Sequence, residues 1–238
     1  MKFIEDPKLA ELSNWITGKE LGDKVLTCRI ESFTCKMAGE DKKFSKKLEE
    51  EMDKAGVSPA SAPNFGPLNN TSARRILIDL IITMNMHFPD YDFSKAGADH
   101  FLKQPDATKV VNAVNAQLVD LTRLYHVNFL EQLWGAVDES IKLKQCSVYS
   151  YVPDADLGDP FTDGSLWSFN YFFYNPLRKK MLYLTCIARN KFAARAASDA
   201  AEYDDGDDFD DYGDQDNDNG NDDMRSSGAA DTPFFMDT

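Results

Sequence analysis

The sequence predicts an α+β domain with a central antiparallel sheet, helices packed on its faces and a disordered acidic tail. Three observations support this fold class. A strand-like segment lies near the N-terminus, amphipathic helical segments occupy the middle of the chain, and aromatic strand-like segments follow them. The last forty residues are acidic and poor in aliphatic side chains, so they cannot bury enough apolar surface to fold alone.

The first folded segment combines a short helix with a strand. Asp6 can cap a helix that has Pro7 in its first turn, and apolar residues recur at helical spacing up to Gly18. Residues 25–37 alternate as a strand, but the phase of their apolar side chains changes near Glu31 and Ser32. We therefore expect a bulge or a tight reversal at this point.

Three helices are predicted in the middle of the chain, after a linker. Residues from about 40 to 71 lose hydrophobic periodicity and become rich in Pro, Ser, Gly and Asn, which predicts a mobile linker. Order returns in "SARRILIDLIITMNMHF", where Ser72 can cap a largely buried helix. Asp106 can cap the next helix, and "FLEQLWGAVDESI" forms the third.

Three strands are predicted at the end of the domain, in "QCSVYSYV", "SLWSFNYFFYN" and "KMLYLTCIA". Pro176 constrains the hairpin connection between the last two. One face of the middle strand carries four aromatic side chains at a period of two. We assign these side chains to the core: Trp167, Phe169, Tyr171 and Phe173. Their burial would contribute roughly 15–25 kcal/mol of gross apolar transfer free energy.

The distribution of charge separates a domain from its tail. Residues 199–238 hold fifteen acidic side chains and one basic one, Arg225, so they carry the whole net charge of −14. Residues 1–198 are neutral, and we predict that they form one globular domain. A neutral domain lacks the basic surface that binds phosphate backbones, so we expect no direct sequence-specific contact with nucleic acid. We also expect a monomer.

The sequence lacks the residue patterns of catalytic and metal sites. The loop "PDADLGDPFTDG" gathers four Asp residues, but its spacing lacks the glycine and glutamate of a calcium-binding EF-hand, and a turn-forming loop is the interpretation we favour. The four cysteines form no Cys-x-x-Cys pair and are predicted to be buried free thiols. We therefore predict a protein that is not an enzyme and needs no cofactor or metal. "ILIDLIITM" is too short to span a bilayer, so we expect no membrane association.

Two basic clusters are candidates for regulation and nuclear import. In "KKFSKK", Ser45 lies among four lysines, a pattern that a kinase preferring basic residues ahead of serine can read. The four are Lys42, Lys43, Lys46 and Lys47. We predict phosphorylation at Ser45, which would largely cancel this positive patch, and a solvated lysine run is the alternative. The second cluster lies in the late hairpin and consists of Arg178, Lys179 and Lys180.

Three segments of the sequence together resemble one protein family. They are "RIESFTCKMAGEDK", "FPDYDFS" and the run from "LWGAVDESI" through "YSYVPDADLGDPFTDGSLWSFNYFFYN". In order, spacing and aromatic content they resemble the Maf-type repressor of RNA polymerase III, over most of residues 1–190. The linker and the tail vary within that family, so Ser45 depends on its local basic context. Acidic blocks such as "DYGDQDNDNG" look most like a plant version.

The resemblance implies a eukaryotic effector of nutrient and stress signals without catalytic activity. Members of that family bind RNA polymerase III near its clamp and hinder the initiation factor that recruits it. The resemblance also implies control by phosphorylation, with a protein kinase and a phosphatase as partners. The protein would then shuttle between nucleus and cytoplasm with its phosphorylation state. The implied fold, one domain with an antiparallel sheet, agrees with the fold predicted from the residues.

We predict that charged residues of the three segments form one polymerase-binding surface. These residues are Arg29, Glu31, Lys36, Asp90, Asp92, Asp159 and Asp163. This prediction requires Arg29 and the loop at Asp159 to lie on the same side of the molecule. We also expect the acidic tail to be able to fold back on the lysines around Ser45 and to compete with a partner.

Two alternative functions belong to other classes. In the first, the protein is a chaperone for basic nuclear proteins, and the acidic tail holds histone-like or ribosomal partners. In the second, Asp154 to Asp163 form the site of a metal-dependent hydrolase. Binding of histones by the tail would support the first alternative, and binding of metal by the domain would support the second.

Overall fold

The computed structural model describes residues 1–37, 39–54, 65, 70–154, 158–162 and 164–193. The helices are α1 (Pro7–Ile16), α2 (Gly39–Lys54), α3 (Thr71–His87), α4 (Ala107–Leu124) and α5 (Phe129–Ile141). The strands are β1 (Lys2–Ile4), β2 (Glu20–Leu21), β3 (Lys24–Thr34), β4 (Phe101–Lys103), β5 (Ser147–Tyr151), β6 (Ser165–Asn175) and β7 (Lys180–Asn190). None of these helices is long and apolar enough to cross a membrane.

The strands form one antiparallel sheet in the order β1-β3-β7-β6-β5-β4, and β2 pairs with the beginning of β3. The long strands β3, β7 and β6 occupy the centre. Thus β3, which carries the first of the segments that resemble the repressor family, lies beside the last strand, β7, and only one strand away from the aromatic strand β6. The antiparallel sheet and its helices agree with the predicted fold class.

Helices cover both faces of the sheet. On one face, α2 and α3 enclose a core that includes Phe33, Leu77 and Tyr183. On the other face, α1, α4 and α5 enclose a second core that includes Ile30 and Phe173. Consequently, most side chains of both phases in the central strands are buried, whereas Thr27 and Arg29 of β3 are exposed.

Strand β3 contains no bulge, so the predicted irregularity at Glu31 and Ser32 is wrong. Its residues pair with β7 in one unbroken register from Lys24 with Asn190 to Thr34 with Lys180. Leu26, Cys28 and Ile30 contribute to one core, whereas Phe33 and Cys35 contribute to the other. The change of apolar phase therefore reflects two covered faces, each contacting a different part of the same straight strand.

The aromatic strand β6 is also packed on both sides. The face predicted as core contains Phe169 and Phe173, which are buried, while Trp167 and Tyr171 lie half-buried at the margin of the same core. On the opposite face, Phe172 is fully buried and stacks on the Tyr183 ring with centroids 4.4 Å apart. The charge-free aromatic segment therefore packs between two helical layers.

The linker expected from about residue 40 begins instead with a helix. Residues 39–54 form α2, whose buried side includes Leu48 and whose outer side carries Lys and Glu. The low hydrophobicity of α2 hid its periodicity, because only a narrow stripe of the helix packs against α3 and the core. Helix α3 begins at Thr71, and Asn70 accepts the capping bond that was expected of Ser72. Residues 55–64 and 66–69 lie outside the described part of the chain.

Hydroxyl groups of α1 and its C-cap residue protect the outer edge of β3 between β1 and β2. Thr17 Oγ1 accepts a bond from the Cys28 N–H and donates one to the Cys28 carbonyl, at 3.1 and 2.9 Å. Ser13 Oγ accepts a bond from the Ile30 N–H at 2.8 Å and donates to the Leu9 carbonyl. These side chains replace a neighbouring strand, so this part of the edge cannot recruit one.

The Ser13→Ala variant should unfold more easily because it leaves the buried Ile30 N–H without its acceptor. We expect the free energy of unfolding in urea to fall by about 1–3 kcal/mol. The control is Asn14→Ala, which changes an exposed residue of the same helix and should alter stability by less than about 0.5 kcal/mol. Equal stability of the two variants would show that the edge contact is unimportant.

Candidate functional site

Arg29, Glu31 and His87 form a polar network where the C-terminal end of α3 meets β3. Arg29 Nη2 lies 2.6 Å from Glu31 Oε1, and Arg29 Nη1 donates to the His87 carbonyl at 2.9 Å. His87 Nδ1 lies 2.5 Å from Glu31 Oε2. Alternation along β3 places Arg29 and Glu31 on one face, so both can reach the last turn of α3. We call this group the Arg29 network.

Burial sets the protonation of the Arg29 network. His87 is fully buried, and burial lowers the pKa of its imidazole despite the neighbouring Glu31 carboxylate. Burial alone would raise the pKa of the Glu31 carboxyl. The hydrogen bond from His87 and the charge of Arg29 outweigh burial, so the pKa of Glu31 is lowered. At neutral pH we therefore assign a neutral His87 that donates from Nδ1 to an ionised Glu31. Its other ring nitrogen is buried without a hydrogen-bond partner among the described residues.

The segment after α3 presents two carboxylates on the surface. Asp90 and Asp92 are exposed, as is the ring of Tyr91. Phe93 anchors the segment because its side chain is buried and its N–H donates to Asn85 Oδ1 at 2.8 Å. Hydrogen bonds from Ser94 lower the pKa of Asp92, and the charges of Lys95 and Lys47 act in the same direction. The influence of Lys47 shows that α2 passes near this segment.

Asp159 is an internal support and not an exposed docking residue, which corrects its predicted role. Its side chain is buried, and its carboxylate accepts bonds from Tyr151 Oη and the Asp154 and Phe161 N–H groups, at 3.1, 2.8 and 2.9 Å. A carboxylate with three donors fixes the shape of a turn. The predicted contact residue Asp163 lies outside the described residues.

The loop at Asp159 nevertheless lies on the same side of the molecule as Arg29. The Phe161 ring packs edge-on against Phe88 with centroids 5.2 Å apart. Phe88 in turn follows His87, the α3 residue that Arg29 contacts. The structure thus brings three parts of the chain together around one aromatic cluster: the part of β3 that carries Arg29, the segment after α3 and the Asp159 loop.

Lys36 does not join this group. The preceding residue, Cys35, receives a bond from Arg75 at the beginning of α3 and donates to the Lys179 carbonyl in the hairpin. Arg29 instead contacts the end of α3, so about 18 Å of helix separates the two positions. Lys36 therefore lies near the basic hairpin residues and away from Arg29. Sequence spacing within the first segment did not show that its two charged residues lie at opposite ends of α3.

The two basic clusters lie on different elements. The four lysines around Ser45 are exposed on α2, but the Ser45 side chain points into the protein and is only 7% exposed. A kinase could not reach the Ser45 hydroxyl while α2 remains packed. The pattern of lysines around Ser45 in the sequence did not indicate this burial. In the hairpin, Arg178 and Lys179 are exposed, and Lys180 Nζ approaches the Ser140 carbonyl at 3.4 Å.

The buried face of α3 carries an ionisable residue that the sequence analysis missed. Asp79 is 1% exposed, and Arg75 Nε lies 3.2 Å from its carboxylate. Burial raises the pKa of Asp79 to about 6, although the charge of Arg75 opposes the shift. Its position in the apolar run "ILIDLIITM" was the available signal, because a carboxyl in such a run must be paired or protonated.

Among the described residues, no group of three or more His, Cys, Asp and Glu side chains could hold a metal ion. Asp156 and Asp163, two members of the acidic loop considered for such a site, lie outside the described residues. The four cysteines are free thiols, and Cys28, Cys35 and Cys186 are buried.

Comparisons with known proteins agree on one family. A family model described as "Maf1 regulator" matches residues 26–185. A protein of Dictyostelium discoideum named "Repressor of RNA polymerase III transcription" is 31% identical over 235 residues, covering 78% of this chain and 84% of the relative. A protein of Schizosaccharomyces pombe named "Repressor of RNA polymerase III transcription maf1" is 35% identical over 199 residues, covering 78% and 82%.

A solved structure shares the fold. The crystal structure of citrus MAF1 in one crystal form superposes with a TM-score of 0.62 at 28% sequence identity, over 77% of this chain and 99% of the citrus chain. A second crystal form gives the same TM-score at 30% identity. The region matched by the family model contains most of the sheet and the whole Arg29 network, so this network lies in the part that the family shares.

The Asp79→Asn variant should reveal the raised pKa of Asp79. The folded protein binds this proton more tightly than the unfolded chain, so ionisation of Asp79 reduces stability as the pH rises from about 4 to above 6. The stability advantage of Asp79→Asn over the native protein should therefore shrink by about 1–1.5 kcal/mol between pH 7.5 and pH 5, measured by urea unfolding.

Titration of His87 has the opposite effect on stability as the pH rises. Because its pKa is lowered in the folded protein, the unfolded chain binds this proton more tightly, and stability increases with pH. Comparing two proteins that both retain His87 removes its effect. Asp90→Asn makes the same chemical change at an exposed position and serves as the control. A difference between Asp79→Asn and the native protein that does not vary with pH would contradict the assignment.

Proposed function

The chain belongs to the Maf1 regulator family, and we propose that it represses RNA polymerase III transcription by binding the polymerase near its clamp. The observation that carries this proposal is the match over residues 26–185, together with the repressor name of relatives that cover most of the chain. Bound there, the protein would hinder recruitment of the enzyme by its initiation factor. Repression of this kind needs a docking surface and no catalytic group.

We place the docking surface around the C-terminal end of α3. Its exposed members are Arg29, Asp90, Tyr91 and Asp92, and the aromatic cluster of Phe88 and Phe161 lies beneath them. Both signs of charge occur beside an exposed aromatic ring, a composition typical of specific protein interfaces. We name these four exposed residues the α3-end surface.

The rigidity of the α3-end surface supports the proposal. Arg29 is held by Glu31 and by the His87 carbonyl, and Phe93 anchors the segment that carries Asp90. A surface whose side chains are already ordered loses less conformational entropy when a partner binds. The half-buried Glu31 therefore supports Arg29, which revises its predicted role as a contact residue.

Charge reversal on the α3-end surface should weaken capture of purified RNA polymerase III. We expect Asp90→Lys and Arg29→Glu each to reduce affinity about tenfold in a pull-down at physiological salt. Asp90→Lys is the cleaner variant because Asp90 is exposed, whereas Arg29 supports buried partners. Circular dichroism and thermal unfolding verify the fold of each variant.

The control is Arg123→Glu, which reverses an exposed charge on α4, across the sheet from α3. It should bind polymerase as well as the native protein does. Normal capture of both Asp90→Lys and Arg29→Glu would refute the α3-end surface. Loss of capture in all three variants would indicate a general effect of charge and would equally contradict the placement.

Phosphorylation of Ser45 is the second part of the proposal, with a kinase and a phosphatase as regulatory partners. Because Ser45 is buried, its modification requires α2 to leave the sheet. Phosphate would then prevent repacking of α2 and largely cancel the charge of the surrounding lysines. These exposed lysines and the hairpin cluster are our candidates for the nuclear import signals of a protein that shuttles between nucleus and cytoplasm.

Loosening α2 should speed phosphorylation of Ser45 by a basophilic kinase. Leu48 is 3% exposed and holds α2 in place, so Leu48→Ala should raise the initial labelling rate about tenfold by favouring local opening. Leu133→Ala creates a comparable defect on the opposite face and should have little effect on the rate. Ser45→Ala should abolish labelling, and equal labelling of this variant would eliminate Ser45 as the site.

A further inference from the structure

A groove between α1 and α5 is lined by aromatic, apolar and polar side chains. The groove has a volume of about 360 Å³, and its lining residues are Lys8, Glu11, Leu12, Trp15, His126, Phe129, Gln132 and Ala136. Trp15 stacks on Phe129 with ring centroids 4.7 Å apart, which forms a firm aromatic floor. This groove lies on the opposite face of the sheet from the α3-end surface.

The turn between α4 and α5 extends the groove with exposed apolar side chains. Leu124, Tyr125 and Val127 are 62%, 46% and 79% exposed. The Tyr125 ring packs edge-on against Trp15 with centroids 6.4 Å apart, so this apolar turn adjoins the groove. Lys19 Nζ lies 5.0 Å from the Trp15 ring and 5.2 Å from the Tyr125 ring. The groove therefore combines aromatic surface with a positive charge at its edge.

The chain leaves the domain beside this groove. After β7, the Lys191 N–H donates to the Asp23 carbonyl at 2.9 Å, and Lys191 Nζ pairs with Glu20 at 3.3 Å. Tyr125 Oη donates to the carbonyl of the same Glu20 at 2.7 Å. One residue thus contacts both the end of the described chain and the edge of the groove. The remaining 45 residues start from this position.

The acidic tail contains one sequence that matches the groove. Phe234, Phe235 and Met236 are the longest run of large apolar residues in positions 199–238, and Asp231 and Asp237 flank them. Such a run gains free energy by leaving water for an aromatic surface. The flanking carboxylates are complementary to Lys19.

We propose that residues 231–238 of this chain dock in the groove between α1 and α5. Phe234 and Phe235 would pack against Trp15 and Phe129, with a neighbouring carboxylate near Lys19. Forty residues separate Ala193 from Phe234. A random-coil segment of this length has a root-mean-square span of roughly 35 Å, which is enough for residues 231–238 to reach a groove beside Ala193. Tethering supplies an effective concentration on the order of millimolar, which favours this segment over a free partner or a second copy.

This inference is independent of repression and replaces the expected contact of the tail with the lysines of α2. Those lysines offer charge alone and lie on the other face of the sheet. A contact that depends on charge disappears at high salt, whereas aromatic burial persists. The effect of salt on the tail contact therefore distinguishes docking in the groove from docking on the lysines of α2.

The experiment places a photo-cross-linking amino acid at position 124 of the full chain, replacing the exposed Leu124. After irradiation and trypsin digestion, we expect cross-links to the peptide 226–238, which trypsin releases after Arg225. The F234S/F235S variant should reduce their yield about tenfold. The matched tail control F209S/Y212S should leave the yield unchanged. The same cross-linker at the exposed Leu102, on the far edge strand β4, should give no cross-link to this peptide.

A second variant tests the groove without touching its floor. Val127→Asp changes an exposed residue, should fold normally, and should reduce the cross-link by repelling the acidic segment. The cross-link should survive about 1 M salt. Three results would overturn the proposal: no cross-link to 226–238, equal yield from F234S/F235S, or cross-links between isotope-labelled and unlabelled copies, which would assign the groove to a second copy.

Discussion

Coverage of the sheet on both faces is the constraint from which the rest of this structure follows. Helices cover most of both faces of the central strands, so a side chain of β3, β6 or β7 that points into a helical layer must be apolar or must find a partner there. Where Glu31 points into a helical layer, it meets His87 and Arg29. The polar groups in the core are therefore fixed in position by their surroundings.

The same constraint places internal partners beside the exposed Arg29 at the end of α3. Arg29 can be exposed and ordered at once because its other contacts are internal. Asp159 has a comparable role in its loop, where a buried carboxylate holds the backbone against the aromatic cluster. Removing one partner of a buried ion pair lowers the free energy of unfolding by more than the intact pair contributes to it, because the remaining charge stays buried. Residues that look like surface contacts in the sequence thus act one layer below it.

The two regulatory features that we propose lie on different faces of the sheet. On the face with α2 and α3, Ser45 is covered by packing of its own helix, so access depends on local opening. On the opposite face, the groove beside Trp15 lies near Lys191, close to the end of the described chain. A change on one face can therefore occur without direct contact with the other, and the sheet provides a rigid partition between them.

The sequence alone determined the fold class, most helices and strands, and the family, since these depend on local periodicity and on motif order. Asp6 and Asp106 cap their helices as predicted because capping is a local interaction. Tertiary structure alone decided burial. The straight course of β3, the existence of α2, the internal position of Asp159 and the separation of Lys36 from Arg29 all depend on which element packs against each residue. That information arises from contacts between residues far apart in the chain, and local spacing does not encode it.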